Sequence, residues 1–421
     1  MTSADISRHL EDAYTSPIRD PLWSHIYLSP ELLAIINTDV FQQLSRIKQL
    51  GPTFLVYPGA THTRLNHSLG VFHIAKRIIT RLVRHPEAPR LSMEGVKAYL
   101  AAALLHDVGH FPYTHSFKSL PLAEHEHLTG RLVQEGELAT RIRDGLRVDP
   151  ALVARIVDES MDDGGNQEVR LYRSLLSGSL DPDKLDYLNR DAYFCGVPYG
   201  LQDIDFALSR LVPIGYEGVG LEESGVSAVE NILFSKYLMY RAVYWHRTVR
   251  VATAMIKKAV HQGLHDEVIR PEDLYGLDDE LFLERFAHHP YPPFELIAQV
   301  GARRLLKPVS DISFDSRDPV QQRLADMATR EQLERELAGS LRLPEYQVII
   351  DLPDPVSFEA HFPIFVDGQA QPFAQRSVFS PDVVSRFTET IRRVRLMLPA
   401  SHAAKTTDAR ALMNDALSSL A

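Results

Sequence analysis

The chain has 421 residues, 45% hydrophobic and 24% charged, with 55 acidic against 45 basic side chains and a formal net charge of −10. That composition belongs to a globular protein long enough for a main core plus a second region. It excludes the broad basic face that nonspecific nucleic-acid binding needs, and the sequence has no apolar run long enough to span a bilayer. A single cysteine, Cys195, excludes an internal disulfide and suits a reducing cytoplasm. The opening residues, MTSADISRHLEDAY, read as neither a signal peptide nor a basic transit peptide.

In chain order the pattern is mostly helical. Residues 29–51 carry apolar residues at helical spacing, with Ser29 as N-cap, Pro30 at the first helical position and Gly51–Pro52 as the stop. Residues 54–67 read as a short extended piece and a polar turn. A helix is expected from about Asn66, with Leu69, Phe72, Ile79 and Leu82 as its apolar stripe. Ser92 caps the next one, which is apolar nearly all round from Tyr99 to Leu105 and therefore central and buried. Residues 161–168 form a polar loop, and 179–194 a helix with Asp181 as N-cap and Pro182 behind it. Residues 211–222 predict a small hairpin built on glycine turns, and one long helix is expected from Ser227 to about His261. Past residue 270 the character changes: prolines cluster at 288–295 and residues 346–353 predict a strand. The expected architecture is mainly α: an all-helical core with a small β-hairpin over 1–270, and a mixed α/β region over 271–421.

The stretch LLHDVGHFPYTH (104–115) ends a buried helix in polar groups that need partners. His106 and Asp107 together suit a divalent metal such as zinc, manganese, iron or magnesium. Taken alone, the pair reads equally as a hydrogen bond closing the helix. His67 opens one helix with Arg64 one turn upstream, and His110 follows His106 by one turn. Asp183, Tyr187, Arg190 and Asp191 share one helical face, a run that in isolation is also an ordinary acidic first turn. Lys236, Tyr240, Tyr244 and Arg247 fall on one face of the long helix, which could equally be a packing face. The order H…HD…D, each member at a helix end beside an apolar run, raises the chemical reading above these bland ones.

That order is the signature of the HD superfamily of metal-dependent phosphohydrolases. The runs FQQLSRIKQLG (41–51), YPGATHTRLNHSLGV (57–71), LLHDVGHFPYTHSF (104–117), LDPDKLDYLNRDAYFCGV (180–197) and YRAVYWHRTVRVATAMI (240–256) resemble its deoxynucleoside triphosphate triphosphohydrolase branch. The resemblance covers roughly residues 18–260. It implies an HD domain binding one divalent metal (manganese, magnesium, iron or zinc) through His67, His106, Asp107 and Asp183. The ion would acidify a water and neutralise phosphoryl charge, with Asp107 also counted in the catalytic set. It implies that His110, His115 and His125 surround the α-phosphate, with His115 as the proton donor to the leaving oxygen and His125 as its alternate; His127 reads as a solvated helix residue. Arg64, Lys184 and Lys236 align with phosphate positions. Tyr187 and Asp191 align with sugar-hydroxyl positions, Tyr244 with a stacking position near the sugar, and Gln49 and Leu50 with base and sugar contacts. The implied reaction releases deoxynucleoside and intact triphosphate. The implied partners are a deoxynucleoside triphosphate, a nucleotide activator and further copies of the chain in a homo-oligomer, with no membrane and no nucleic acid.

The chain departs from the pattern in three respects. Lys118 stands where the family's SAM-bearing enzyme has an acid beside the proton donor; a cation there lowers the pKa of His115 and leaves Glu124 or Glu126 as acidic partner. Asn37 and Ser45 replace an acidic and a basic residue of an allosteric guanine-nucleotide site, of which Gln42 is retained, so activation by GTP is not expected. Trp245 replaces a polar base contact. Two rival readings follow: an HD phosphohydrolase acting on monophosphates or phosphodiesters, and a nucleotide-binding regulator without turnover. Residues 346–362 read either as an oligomerisation element or as a cap on the main domain.

Overall fold

The structure is a computed structural model that describes residues 2–356, 358, 361–404, 412, 413 and 417. At its centre lies the helix Met93–Leu105, whose residues from Ala98 to Leu105 are all buried. A helix apolar on every side has no solvent face, so neighbours must cover it all round. Ser92 starts it, its Oγ accepting from the Gly95 amide at 2.9 Å. The helix Arg64–Arg84 packs against it, and the helix Pro182–Cys195 packs in turn against 64–84. Gly70 allows that second approach: a Cβ there would stand 1.9 Å from Asp186 Oδ1.

Strands are few and short. A hairpin of β1 (Ser16–Asp20) and β2 (Ser24–Leu28) lies near the N-terminus. The predicted hairpin is present as β3 (Leu211–Pro213) and β4 (Val219–Glu222). The mixed C-terminal region adds β5 (Lys307–Ser313), β6 (Ile349–Asp351), β7 (Pro363–Val366), β8 (Gln369–Pro372) and β9 (Arg393–Leu398). β7 pairs parallel with β4, giving the order β3-β4-β7-β8; β9 sits between β5 and β6. A second apolar core gathers Met255 and Val260 from the helix Arg247–His265, Phe282, Phe286 and Phe294 from beyond residue 270, and Phe111 and Phe117 from the histidine-rich stretch. The 346–362 segment carries β6, while Ser357, Glu359 and Ala360 lie outside the described residues.

Four local expectations are corrected. Residues 29–51 are not one helix: Pro30–Ile36 ends at Asn37, and Thr38 caps a new helix, Asp39–Gln43, while donating to the Ile35 carbonyl at 2.7 Å. Residues 54–67 are not extended, since Gly51–Leu55 is a 3-10 turn and only Thr63 bridges, to Lys48. The following helix begins at Arg64, two residues early, because Asn66 Oδ1 accepts from the Thr63 amide at 3.0 Å. The long helix from Ser227 is interrupted. Val226–Met239 gives way to a π turn, Tyr240–Tyr244, and His246 caps the next helix by accepting from the Thr248 amide at 3.2 Å. Arg247 consequently leaves the shared face and reaches the Pro308 carbonyl at 3.2 Å.

Candidate metal centre

Helix ends bring the H…HD…D residues together. His67 projects from the first turn of 64–84 and His106 from the C-cap of 93–105, their ring centroids 5.4 Å apart. Asp183, in the first turn of 182–195, places Oδ1 2.8 Å from His67 Nε2 and 4.0 Å from His106 Nε2. Asp107 Oδ1 is 3.3 Å from His106 Nε2, and the ligand atoms of His67, His106 and Asp107 all lie within 4.8 Å of one another. His106 Nδ1 hydrogen-bonds the Ala103 carbonyl at 2.9 Å, which turns Nε2 toward this point. That Nε2 is buried with no hydrogen-bond partner among the described residues. Two imidazoles and two carboxylates converging on a buried lone pair fit a divalent ion of intermediate hardness. His67 is 1% exposed while the Asp183 side chain is 41% exposed, so the point opens to solvent on the Asp183 side. Burial works against the charged form of His67, but Asp183 and Asp186 outweigh it and raise the imidazole to about 10. A bound cation would take that proton's place.

Asp186 stands behind His67. Its Oδ2 is 2.9 Å from His67 Nδ1, and both its oxygens accept from Arg190, at 2.8 and 2.9 Å. Trp23 Nε1 donates to Oδ1 at 2.6 Å, and Arg190 also donates to Asp20 Oδ2 at 2.8 Å. Arg190, grouped with Asp183 by helical spacing, is thus spent inside a buried ion network.

The other three histidines form their own cluster. Ring centroids are 4.9 Å apart for His110 and His115, 3.9 Å for His110 and His125, and 5.2 Å for His115 and His125. Asp107 joins the two groups: Oδ1 lies 3.0 Å from His110 Nδ1 and Oδ2 accepts from Arg64 at 2.8 Å. Burial lowers His110 to about 4, with Arg64 adding to it. His115 is open to solvent but crowded on its other sides; that crowding, then His110 and Arg64, then Lys118, hold it well below the ordinary histidine range. His125 is lowered likewise, chiefly by burial. The Glu126 carboxylate lies 3.0 Å from His125 Nδ1, so the acid lies beside His125. His127 faces Asp158 at 3.1 Å, half exposed.

The remaining expected contacts are partly committed to protein groups. Lys184 donates to Asp181 at 2.5 Å and to the Gly178 carbonyl at 2.9 Å. Asp191 accepts from Tyr244 at 2.6 Å and lies 2.8 Å from His62 Nε2; Tyr187 packs edge-on to Tyr244 at 6.3 Å. Lys236 lies over the Phe358 ring at 5.4 Å. Trp245 is buried with Tyr237, Phe358 and Ile391. Gln49 and Leu50 are half-buried on the loop after Lys48, which Asp279 holds through the Lys48 amide at 3.1 Å and its Nζ at 3.2 Å. Arg46 pairs with Asp278 at 2.6 Å on the same loop.

Sequence reasoning missed Asp186, His62 and Trp23. The i, i+4 pairing of Asp186 with Arg190 is a local signal that was available. The Trp23 and His62 partners, Asp186 and Asp191, lie 163 and 129 residues away in sequence, and no local pattern marks them.

Residues 64–186 match the HD domain family and residues 210–396 match the HD-associated region. An uncharacterized Bacillus subtilis protein is 38% identical over 59% of this chain and 56% of its own length. A Danio rerio protein named deoxynucleoside triphosphate triphosphohydrolase SAMHD1 is 28% identical over 59% of this chain and 46% of its own. The chain thus spans about half the length of the curated relatives it matches. A hypothetical protein from Aquifex aeolicus superposes with a TM-score of 0.72 at 25% identity, covering 94% of this chain and 99% of that one. A Bacteroides thetaiotaomicron structure titled phosphohydrolase has a TM-score of 0.70 at 23% identity, covering 91% and 99%, and shares the fold. No helix among the described residues is long and apolar enough to cross a membrane. The chain belongs to the HD-domain proteins, with its HD domain at 64–186 and an HD-associated region following at 210–396.

Proposed function

We propose that this protein hydrolyses deoxynucleoside triphosphates to deoxynucleoside and inorganic triphosphate. One observation carries the reading: a carboxylate shared between two clusters. Asp107 lies against His106 of the metal set and His110 of the three-imidazole set, 3.3 and 3.0 Å away. A phosphate placed between them meets ion and imidazoles together. His67, His106, Asp107 and Asp183 would hold the divalent ion, which supplies an acidified water and neutralises phosphoryl charge. Against the opposing effect of burial, His110, then His106, then Arg64, which donates to Oδ2 at 2.8 Å, hold Asp107 well below the usual carboxylate range. The SAMHD1-named relatives support the choice of substrate class.

The proton donor follows from charge. His115 and His125 are neutral near pH 7 in this structure, so neither arrives carrying the proton to be given. An arriving phosphate brings negative charge to the cluster and raises both. His115 is the open member and faces the substrate; His125, paired with Glu126, is its alternate. Tyr187, Tyr244 and Asp191 line the sugar side, Gln49 and Leu50 the base side, and Lys184 and Lys236 flank the phosphates. Gln42 donates to the Ile36 carbonyl at 2.9 Å, and Ser45, exposed like Asn37, donates to the Gln42 carbonyl at 2.6 Å. The same reading takes any activating nucleotide to be one other than GTP, since Asn37 and Ser45 replace the charged pair of the guanine-nucleotide site. Homo-oligomerisation and that activation belong to the same proposal, and light scattering with and without nucleotides checks them.

Purified protein is incubated with each deoxynucleotide and ribonucleotide and Mn²⁺ or Mg²⁺, and the products are separated by anion exchange. Release of intact triphosphate is expected. Orthophosphate or pyrophosphate alone overturns the reading, as does turnover that survives His106→Ala with Asp107→Ala.

A further inference from the structure

We infer that Asp186 is the positioning residue for the metal ligand His67, and that the β1–β2 hairpin, which lies outside the residues matching the HD family, completes its mount through Trp23 and Asp20. The inference rests on the reading of His67 as a ligand and concerns how strongly the site takes a metal.

The geometry is a chain of donors ending at His67. A ligating imidazole must offer one nitrogen's lone pair and keep its other N–H on an acceptor, and that outer acceptor fixes tautomer and ring angle. Asp186 Oδ2, 2.9 Å from His67 Nδ1, is that acceptor, and it leaves Nε2 facing Asp183 and His106. Asp186 is itself fixed on every side. Arg190 holds both oxygens, Trp23 Nε1 caps Oδ1 at 2.6 Å, and Gly70 leaves room for the carboxylate against the 64–84 backbone. Arg190 is fixed in turn by Asp20, the last residue of β1. The hairpin turn is shaped for this delivery, because Asp20 Oδ1 accepts from the Leu22 and Trp23 amides at 2.9 and 2.8 Å. The Trp23 indole also stacks on His73 of the 64–84 helix at 5.6 Å, so its N–H is aimed by a ring contact as well as by the turn. A hairpin needed only for packing would not require an indole donor on a fully buried carboxylate.

Two measurements test this without using turnover. Mn²⁺ affinity is measured by chelator competition for wild type, Trp23→Phe, Asp186→Asn and His67→Ala. Trp23→Phe keeps an aromatic ring facing His73 while removing the indole donor. Loss of an outer partner weakens metal binding about 10–100-fold; we expect about tenfold for Trp23→Phe and more for Asp186→Asn. In parallel, the chain's two tryptophans give two ¹⁵N-indole signals, assigned with Trp23→Phe, which are followed on adding Zn²⁺ to wild-type protein. The Trp23 signal should move as the site fills. The titration itself uses wild-type protein, and Trp245→Phe assigns the signals where Trp23→Phe does not fold. Wild-type affinity in folded Trp23→Phe, or a Trp23 signal unmoved while His67-dependent Zn²⁺ binding proceeds, overturns the inference. Unchanged affinity in His67→Ala overturns instead the reading of His67 as a ligand.

Discussion

Gly70→Ala should unfold this protein more easily, against the usual sign for its type. Gly70 is in the middle of the helix Arg64–Arg84, where glycine costs about 1 kcal/mol relative to alanine. In open surroundings the change would be stabilising. Here the new methyl would stand 1.9 Å from Asp186 Oδ1, 2.4 Å from its Cγ and 2.5 Å from Arg190 Nη2. Both groups are buried and cross-linked, so neither swings aside. Overpacking of this kind costs about 1–3 kcal/mol, and parting Asp186 from Arg190 breaks a buried charge pair at about 3–5 kcal/mol. Less the helix gain, the net loss is about 3 kcal/mol or more. Urea unfolding of chelator-treated protein, followed by far-ultraviolet circular dichroism, measures it without a metal contribution. Gly339→Ala is the control: it lies in the helix Met327–Leu341, a Cβ there meets nothing within 4 Å, and it should gain about 1 kcal/mol. If Gly70→Ala matches wild type or gains as the control does, the close approach of the two helices is wrong.

Two further outcomes follow from charge. Lys118→Glu replaces a cation that depresses His115 with an anion that raises it, so the limb of the pH–rate profile set by the proton donor should shift to higher pH; an unshifted limb removes His115 from that role. Stability should fall in acid. His110 titrates at about 4 when folded against 6.5 unfolded, so its neutral form favours the fold above pH 6.5 and that advantage is lost as pH falls toward 4. His73, lowered to about 4 chiefly by burial, acts the same way, and urea midpoints between pH 7 and 4.5 should decline steadily.

What could be read in advance divides by distance along the chain. His67, His106, Asp107 and Asp183 each stand at a helix end beside an apolar run, and Asp181 with Pro182 marks the end that carries Asp183. The helix breaks were hidden, because apolar spacing continues unbroken through Asn37 and through Tyr240–Tyr244. There the outcome is decided by Thr38 and His246 caps and by packing against distant residues. The β1–β2 hairpin carried a local cue in Asp20–Pro21, yet its purpose lies 163 residues downstream at Asp186. The charge effect of Lys118 was foreseeable in direction. Its place was not: burial and the neighbouring His110 and Arg64 outweigh it, and the acid nearby serves His125.

The loop bearing Gln49 and Leu50 is tied at Lys48 and Arg46 to Asp279 and Asp278, at the start of the helix Asp279–Ala287. Gln43 adds a bond to the Leu277 carbonyl at 3.0 Å. The far side of that helix is seated in the second apolar core through Phe282 and Phe286. One short helix is therefore a lever with the Gln49–Leu50 loop at one end and the C-terminal region's packing at the other. A change in that packing, whether by a neighbouring subunit or a substitution among its phenylalanines, reaches the loop through the Lys48 amide and the Lys48 and Arg46 side chains, with no contact to the His67–His106–Asp107 cluster. On the proposed reading of Gln49 and Leu50 as base and sugar contacts, base selectivity drifts by that route while His67, His106, Asp107 and Asp183 stay in place.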